Sequence, residues 1–148
     1  MDKKYDFSLF DAQAQATWER EKTYLFPTNA TDVFSIDTPP PTVSGSLHIG
    51  HIFSYTQTDI IARYQRLCGN TVFYPFGFDD NGLPTERYVE KKLETKAHLH
   101  TRTNFITLCL QETAIAEKQF EQLWKRIGIS ADWTKTYSTI SPSTQKIA

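Results

Sequence analysis

Between Val33 and Phe76 the chain reads strand, proline run, helix, strand, and this order constrains the fold more than any other feature. Val33-Phe34-Ser35-Ile36 is a short β-forming run. Pro39-Pro40-Pro41 cannot extend it as a central strand, because proline lacks the N–H that a ladder needs. From His48 to about Leu67 the apolar spacing is helical, with Ile52, Phe53, Thr56, Ile60, Tyr64 and Leu67 expected on one side. Gly69-Asn70 stops that helix, since glycine accepts the left-handed conformation. Thr71 to Phe76, with Pro75 near its end, reads as a second buried strand. Two strands joined through a helix in this way should be parallel neighbours. The expected class is therefore α/β.

The flanking segments extend this frame. Ser8 to Lys22 reads as a helix, with Ser8 and Asp11 spaced as a capping box and Phe10, Ala14 and Trp18 recurring at helical intervals. Gly77 to Gly82 reads as a loop, and Pro84 suits the first turn of a helix running to roughly Lys96. A long helix is expected from about Phe105 to Arg126, ended by Gly128, with Leu108, Ile115, Phe120, Leu123, Trp124 and Ile127 toward the core. Tyr137 to Ile140 is a candidate third strand, closed by Pro142.

Composition excludes several classes. With 148 residues and a net charge of −1, the chain has room for one core and no global basic field to advertise nucleic-acid binding. Cys68 and Cys109 are far apart, so neither a disulfide framework nor a zinc knuckle is expected, and a reducing cytoplasm fits. No apolar run is long enough for a membrane span, and the first residues lack a signal-peptide core. Asn29-Ala30-Thr31 matches the glycosylation pattern only by chance in such a chain.

Two loops should lie beyond the carboxyl ends of the strands, where open α/β sheets bind ligands. In the first, Ser44-Gly45 leads to His48-Ile49-Gly50-His51 at a helix start. The free N–H groups and dipole there attract phosphate, and two imidazoles one turn apart can stabilise charge on it. Surface histidines or an incomplete zinc site are the alternatives. In the second loop, Gly77-Phe78-Asp79-Asp80-Asn81-Gly82, a carboxylate could receive an ammonium group, a turn being the plainer reading and metal binding a third. The proline run forms either a rigid pocket wall or a stiff linker. Glu86-Arg87, Glu90 and Lys91-Lys92 read as a solvated helix face.

The pattern Pro-x-x-x-Gly-x-Leu-His-x-Gly-His after a strand resembles the first signature of class I aminoacyl-tRNA synthetases. Asp37 to His51 and Asp59 to Arg66 resemble the valyl-tRNA synthetase family within it. Gly77 to Arg87 resembles that family's archaeal-type branch, with Phe78 where many relatives carry Trp. The resemblance runs from about Trp18 onward. It implies the first half of a Rossmann-like nucleotide-binding fold over residues 33–148, preceded by an N-terminal helical extension over residues 1–32. It also implies ATP, with Mg2+, as a substrate, and valine and tRNA as partners.

By position, His48 and His51 would bind ATP phosphates and stabilise the transition state, and Gly50 would lie against adenine. Gly45 joins His48, Gly50 and His51 in the implied ATP site. Pro39, Pro41 and Thr42 would line the valine pocket, Thr42 standing where bacterial relatives commonly have Asn, and Asp79 would hold the ammonium. The family's second signature, Lys-Met-Ser-Lys-Ser, does not occur here. The chain thus reads as a fragment ending before the editing insertion, from a cytoplasmic enzyme that is monomeric at full length, with weak or no adenylation by itself. Another class I ligase for isoleucine or leucine, a small nucleotidyltransferase, and a non-catalytic ATP-binding module stay open as alternatives.

Overall fold

The computed structural model describes residues 6–45 and 47–147; Ser46 of the first loop lies outside the described residues. Helix α1 spans Phe7–Glu21, strand β1 Val33–Ser35, helix α2 Ile49–Leu67 and strand β2 Thr71–Phe73. Strand β3 (Gly77–Phe78), helices α3 (Leu83–Lys92) and α4 (Arg102–Ile127), strand β4 (Tyr137–Ser138) and helix α5 (Pro142–Ile147) complete the order.

The expected β–α–β unit is present, and its strands are parallel, with Val33 opposite Thr71 and Ser35 opposite Phe73. The second strand continues as one extended path past Pro75. The carbonyls of Tyr74, Phe76 and Phe78 accept from Asp132 N, Tyr137 N and Thr139 N on one edge. On the other edge, Ile36 N donates to Phe73 O, and Thr42 pairs with Asp79 as an isolated parallel bridge. The ladder on that edge breaks across the prolines and resumes beyond them. Gly77 and Phe78 are therefore not loop residues: β3 pairs with β4 in parallel, a partner nearly sixty residues away that local sequence does not announce.

The residues of this path alternate in burial as a strand requires. Val72, Tyr74, Phe76 and Phe78 are all buried on one face. Tyr55 of α2 and Trp124 of α4 pack on that face, with ring centroids 4.6 Å apart and each 5.6 Å from Phe76. On α2 the expected face is wrong. Tyr55, Asp59 and Ala62 are buried, whereas Phe53, Ile60, Tyr64 and Leu67 are 60–87% exposed. The buried face carries an aspartate that periodicity counts as polar, and the structure satisfies it with hydrogen bonds. On α4, Phe120 and Trp124 are buried and Leu108 is half-buried, but Ile115, Leu123 and Ile127 are exposed.

Local signals decide several helix ends. Gly69 (φ +87°) and Gly128 (φ +88°) take the left-handed conformation after α2 and α4. Asp6 caps α1 by accepting from Ser8 N and Leu9 N, so the cap is not Ser8. Helix α3 stops at Lys92, earlier than Lys96, and a 3₁₀ turn follows at Ala97–Leu99. Pro142 opens α5 instead of only closing a strand, because proline tolerates the first helical turn. No described helix is long and apolar enough to cross a membrane.

Candidate active site

The loops after β1 and β3 meet, as their placement at the carboxyl ends predicts. Asp79 N donates to Pro41 O at 2.9 Å, and Val43 N donates to Asp79 O at 3.2 Å. The Asp79 carboxylate is held from three sides. Thr42 Oγ1 donates to Oδ2 at 3.3 Å, Thr139 Oγ1 donates to Oδ1 at 3.1 Å, and Asn81 N donates to Oδ1 at 3.3 Å. Thr139 comes from the segment after β4 and also accepts from Asp80 N at 3.1 Å. Three carboxyl-end segments thus converge on one carboxylate. Pro41 is buried beside it, while Pro39 is exposed and its carbonyl accepts from the Tyr55 hydroxyl of α2. That bond ties the proline run to the helix bearing the histidines.

The histidines form a reciprocal cap. His48 is the N-cap of α2, with Nδ1 accepting from Gly50 N at 3.2 Å, and His51 Nδ1 accepts from His48 N at 3.4 Å. Their ring centroids lie 4.0 Å apart. Because both Nδ1 atoms accept, each neutral ring carries its proton on Nε2. Burial and then the neighbouring His48 hold the His51 pKa below the ordinary histidine value. The helix end therefore presents imidazole N–H donors suited to phosphate oxygens.

Gly50 has a defined role within the cap. A Cβ there would lie 3.0 Å from His48 Cε1 and 3.1 Å from Nδ1. Gly50→Ala is expected to displace the His48 ring while changing stability by less than about 1 kcal/mol, because better helix propensity offsets a strained cap. A shifted His48 15N resonance with a nearly unchanged unfolding midpoint is the expected result. An unmoved resonance would refute the steric role.

The remaining predicted residue, Gly45, sits in the turn whose N–H donates to Thr42 O at 3.4 Å. An added Cβ there meets only Thr42 O at 3.9 Å, so its backbone needs no glycine on steric grounds. It joins Ser44 in lining an open cleft of about 560 Å³ with Arg87, Tyr88, Lys91 and Lys92 of α3. No hydrogen bond joins the histidine pair to Asp79 among the described residues. The site thus consists of two built groups linked through Tyr55 and the proline run. A second cavity of about 340 Å³, between α1 and the segment after α4, contains none of the predicted residues.

Sequence reasoning missed Thr139, Ser138 and Tyr55. Thr139 and Ser138 come from a distant segment, Tyr55 from the same helix as His51, and all three act through pairings that only the fold reveals. Gly77 also has an unexpected reason, since a Cβ there would overlap the Tyr137 ring that covers it.

The family model for tRNA synthetases class I (I, L, M and V) matches residues 13–148. The chain belongs to the class I tRNA synthetases. Among similar proteins, the valine–tRNA ligase of Rickettsia felis is 47% identical over 148 residues, covering 99% of this chain and 17% of that protein. The valine–tRNA ligase of Ehrlichia canis is 52% identical over 145 residues, covering 98% of this chain and 18% of that protein. A solved Agrobacterium radiobacter K84 LeuRS, in a ternary complex with tRNA and LeuAMS, superposes with TM-score 0.77 at 27% identity. That match covers 97% of this chain and 17% of the LeuRS chain. This class I synthetase chain therefore spans under a fifth of the length of these relatives. Enzymes of its class use ATP.

Proposed function

We propose that this chain supplies the ATP-binding and valine-binding half-site of a valine–tRNA ligase. One observation carries the reading: the Thr42–Asp79 bridge joins the proline loop and the aspartate loop into a single receptor at the sheet's carboxyl end. An amino acid seated there would place its ammonium on Asp79 and its side chain against Pro39, Pro41 and Thr42. The small, stiff wall suits a short branched side chain. The valine–tRNA ligases at 47–52% identity support valine over leucine or isoleucine.

In this reading, His48 and His51 direct their Nε2–H groups at the phosphates of ATP, and the positive end of the α2 dipole adds to the field. Gly50 and Gly45 lie along the nucleotide. The valine carboxylate attacks the α-phosphorus, and pyrophosphate leaves with the added negative charge stabilised by these donors. Valyl-adenylate remains, and its acyl group passes to the 3′ end of tRNA. Mg2+ arrives on the nucleotide phosphates, and no residue of this chain is assigned to it. Residues 33–148 constitute the first half of the catalytic domain and residues 1–32 its helical extension. The whole enzyme acts as a cytoplasmic monomer.

Titrating the chain with valine, isoleucine and leucine in the presence of ATP, followed by NMR at Thr42 and Thr139, tests the assignment. The expected result is the largest perturbation at the lowest concentration with valine. A stronger response to leucine or isoleucine would move the assignment to another ligase of the class. No response to any of the three would refute the receptor.

A further inference from the structure

Beneath Asp79 lies a second carboxylate whose surroundings the proposed reaction does not explain. Asp80 is 4% exposed, and its Oδ2 accepts from Ser138 Oγ. Its Oδ1 is fully buried and has no partner among the described residues. A buried carboxylate oxygen without a donor is costly, so a proton should be aimed at it. Half-buried Glu117 of α4 is the carboxyl that acts on Asp80 and Ser138. As a carboxylate it could only repel Asp80. As a neutral carboxyl it supplies the missing donor.

We propose that Glu117 is a positioning residue, whose carboxyl O–H donates to Asp80 Oδ1 and thereby fixes the strand-end segments that aim Asp79. Three recorded bonds carry that effect to the site: Ser138 donates to Asp80, Asp80 N donates to Thr139, and Thr139 donates to Asp79. The proposed Glu117 donor would complete the chain at Asp80 Oδ1. The groups acting on Glu117 are Asp80 after β3, Ser138 on β4 and Glu121 one turn along α4. Glu121 is itself paired with Lys125 at 2.6 Å. Burial first, and then the Asp80 carboxylate, raise the Glu117 pKa to about 7. Below that value the donor is present and the segment is held. Above it two carboxylates face each other, one buried and one half-buried, and the β3 and β4 ends should separate.

That Asp79 receives an ammonium rests on the proposed function, whereas the titration does not. The test is a residue-specific 13C carboxyl titration of the 148-residue chain between pH 5 and 9, without ligands, since histidines ionise in the same range. Glu117 should titrate near pH 7, with the Thr139 and Thr42 methyl resonances moving at the same midpoint. Glu117→Gln keeps an N–H donor and has no proton to lose, so the methyl step near pH 7 should vanish with its low-pH positions retained. Asp80→Asn should lower the Glu117 midpoint, with burial still holding it above the ordinary glutamate range. A Glu117 midpoint below 5, or a methyl step that survives in Glu117→Gln, overturns the proposal. Valine affinity should fall above pH 7 in the natural chain and not in Glu117→Gln. An intact titration with no valine binding at any pH sinks the valine assignment and leaves the carboxyl pair standing.

Discussion

Asp59→Ala is expected to cost about 3 kcal/mol of folding stability, the largest loss from any single side chain outside the aromatic core. Asp59 is 6% exposed on α2. Its Oδ1 accepts from Ser130 N and Ser130 Oγ, both at 2.6 Å, and its Oδ2 accepts from Arg63 Nε at 2.7 Å. Arg63 then donates to the Tyr24 hydroxyl at 2.9 Å and to Gly128 O at 2.5 Å, with its guanidinium over the Trp18 and Tyr24 rings. Arg66 reaches Ser130 Oγ at 2.6 Å and Ser130 O at 2.8 Å. The aspartate is the anion of a latch joining α1, α2 and the end of α4.

Removing it strands a buried N–H and leaves two guanidinium groups without their counter-charge. Arg63 retains about a third of its side-chain exposure, which keeps the cost near the low end for a broken buried pair. Asp59→Asn keeps an acceptor for Ser130 but turns an N–H toward Arg63, so about half the loss is expected. Urea unfolding midpoints of the two variants measure both values. A change below about 1 kcal/mol for the alanine variant would mean that the latch adds nothing to stability.

Asp59 also shows where sequence reading stops. The β–α–β order, the parallel strands and the glycine stops at Gly69 and Gly128 follow from residue types acting locally. The buried face of α2 does not, because two faces of that helix carry apolar residues and the buried one includes a charge. Ser130, which donates to it, and the N-terminal aromatics around its neighbour Arg63 are far away in sequence. The same limit applies at the site. His48, His51 and Asp79 stand out by motif, but the Thr139 and Ser138 contacts depend on β4 reaching the loop after β3. A two-residue strand such as β3 has too little local signal to distinguish it from the loop that follows. The reciprocal histidine cap was equally hidden, since imidazole is not among the usual capping side chains.

Asp79→Asn is expected to weaken valine binding by about a hundredfold, as losing one member of a desolvated charge pair costs about 3 kcal/mol. The substitution is nearly isosteric. Its carboxamide oxygen can keep the bonds from Thr139 and Asn81 N at the Oδ1 position, and the Thr42 hydroxyl can turn to accept from the new N–H. Folding should therefore change little, and what is lost is the charge. Thr139→Val removes only one orienting donor, so a loss of tenfold or less is expected. ATP affinity separates charge loss from structural damage. The histidine pair sits on α2 and caps itself, so it should bind nucleotide equally well in Asp79→Asn. Calorimetric titrations with valine and with ATP at pH 7 give both values. Valine affinity within threefold of the natural chain would show that Asp79 is not the ammonium receptor. An equal fall in ATP affinity would show that the carboxylate acts by shaping the crevice.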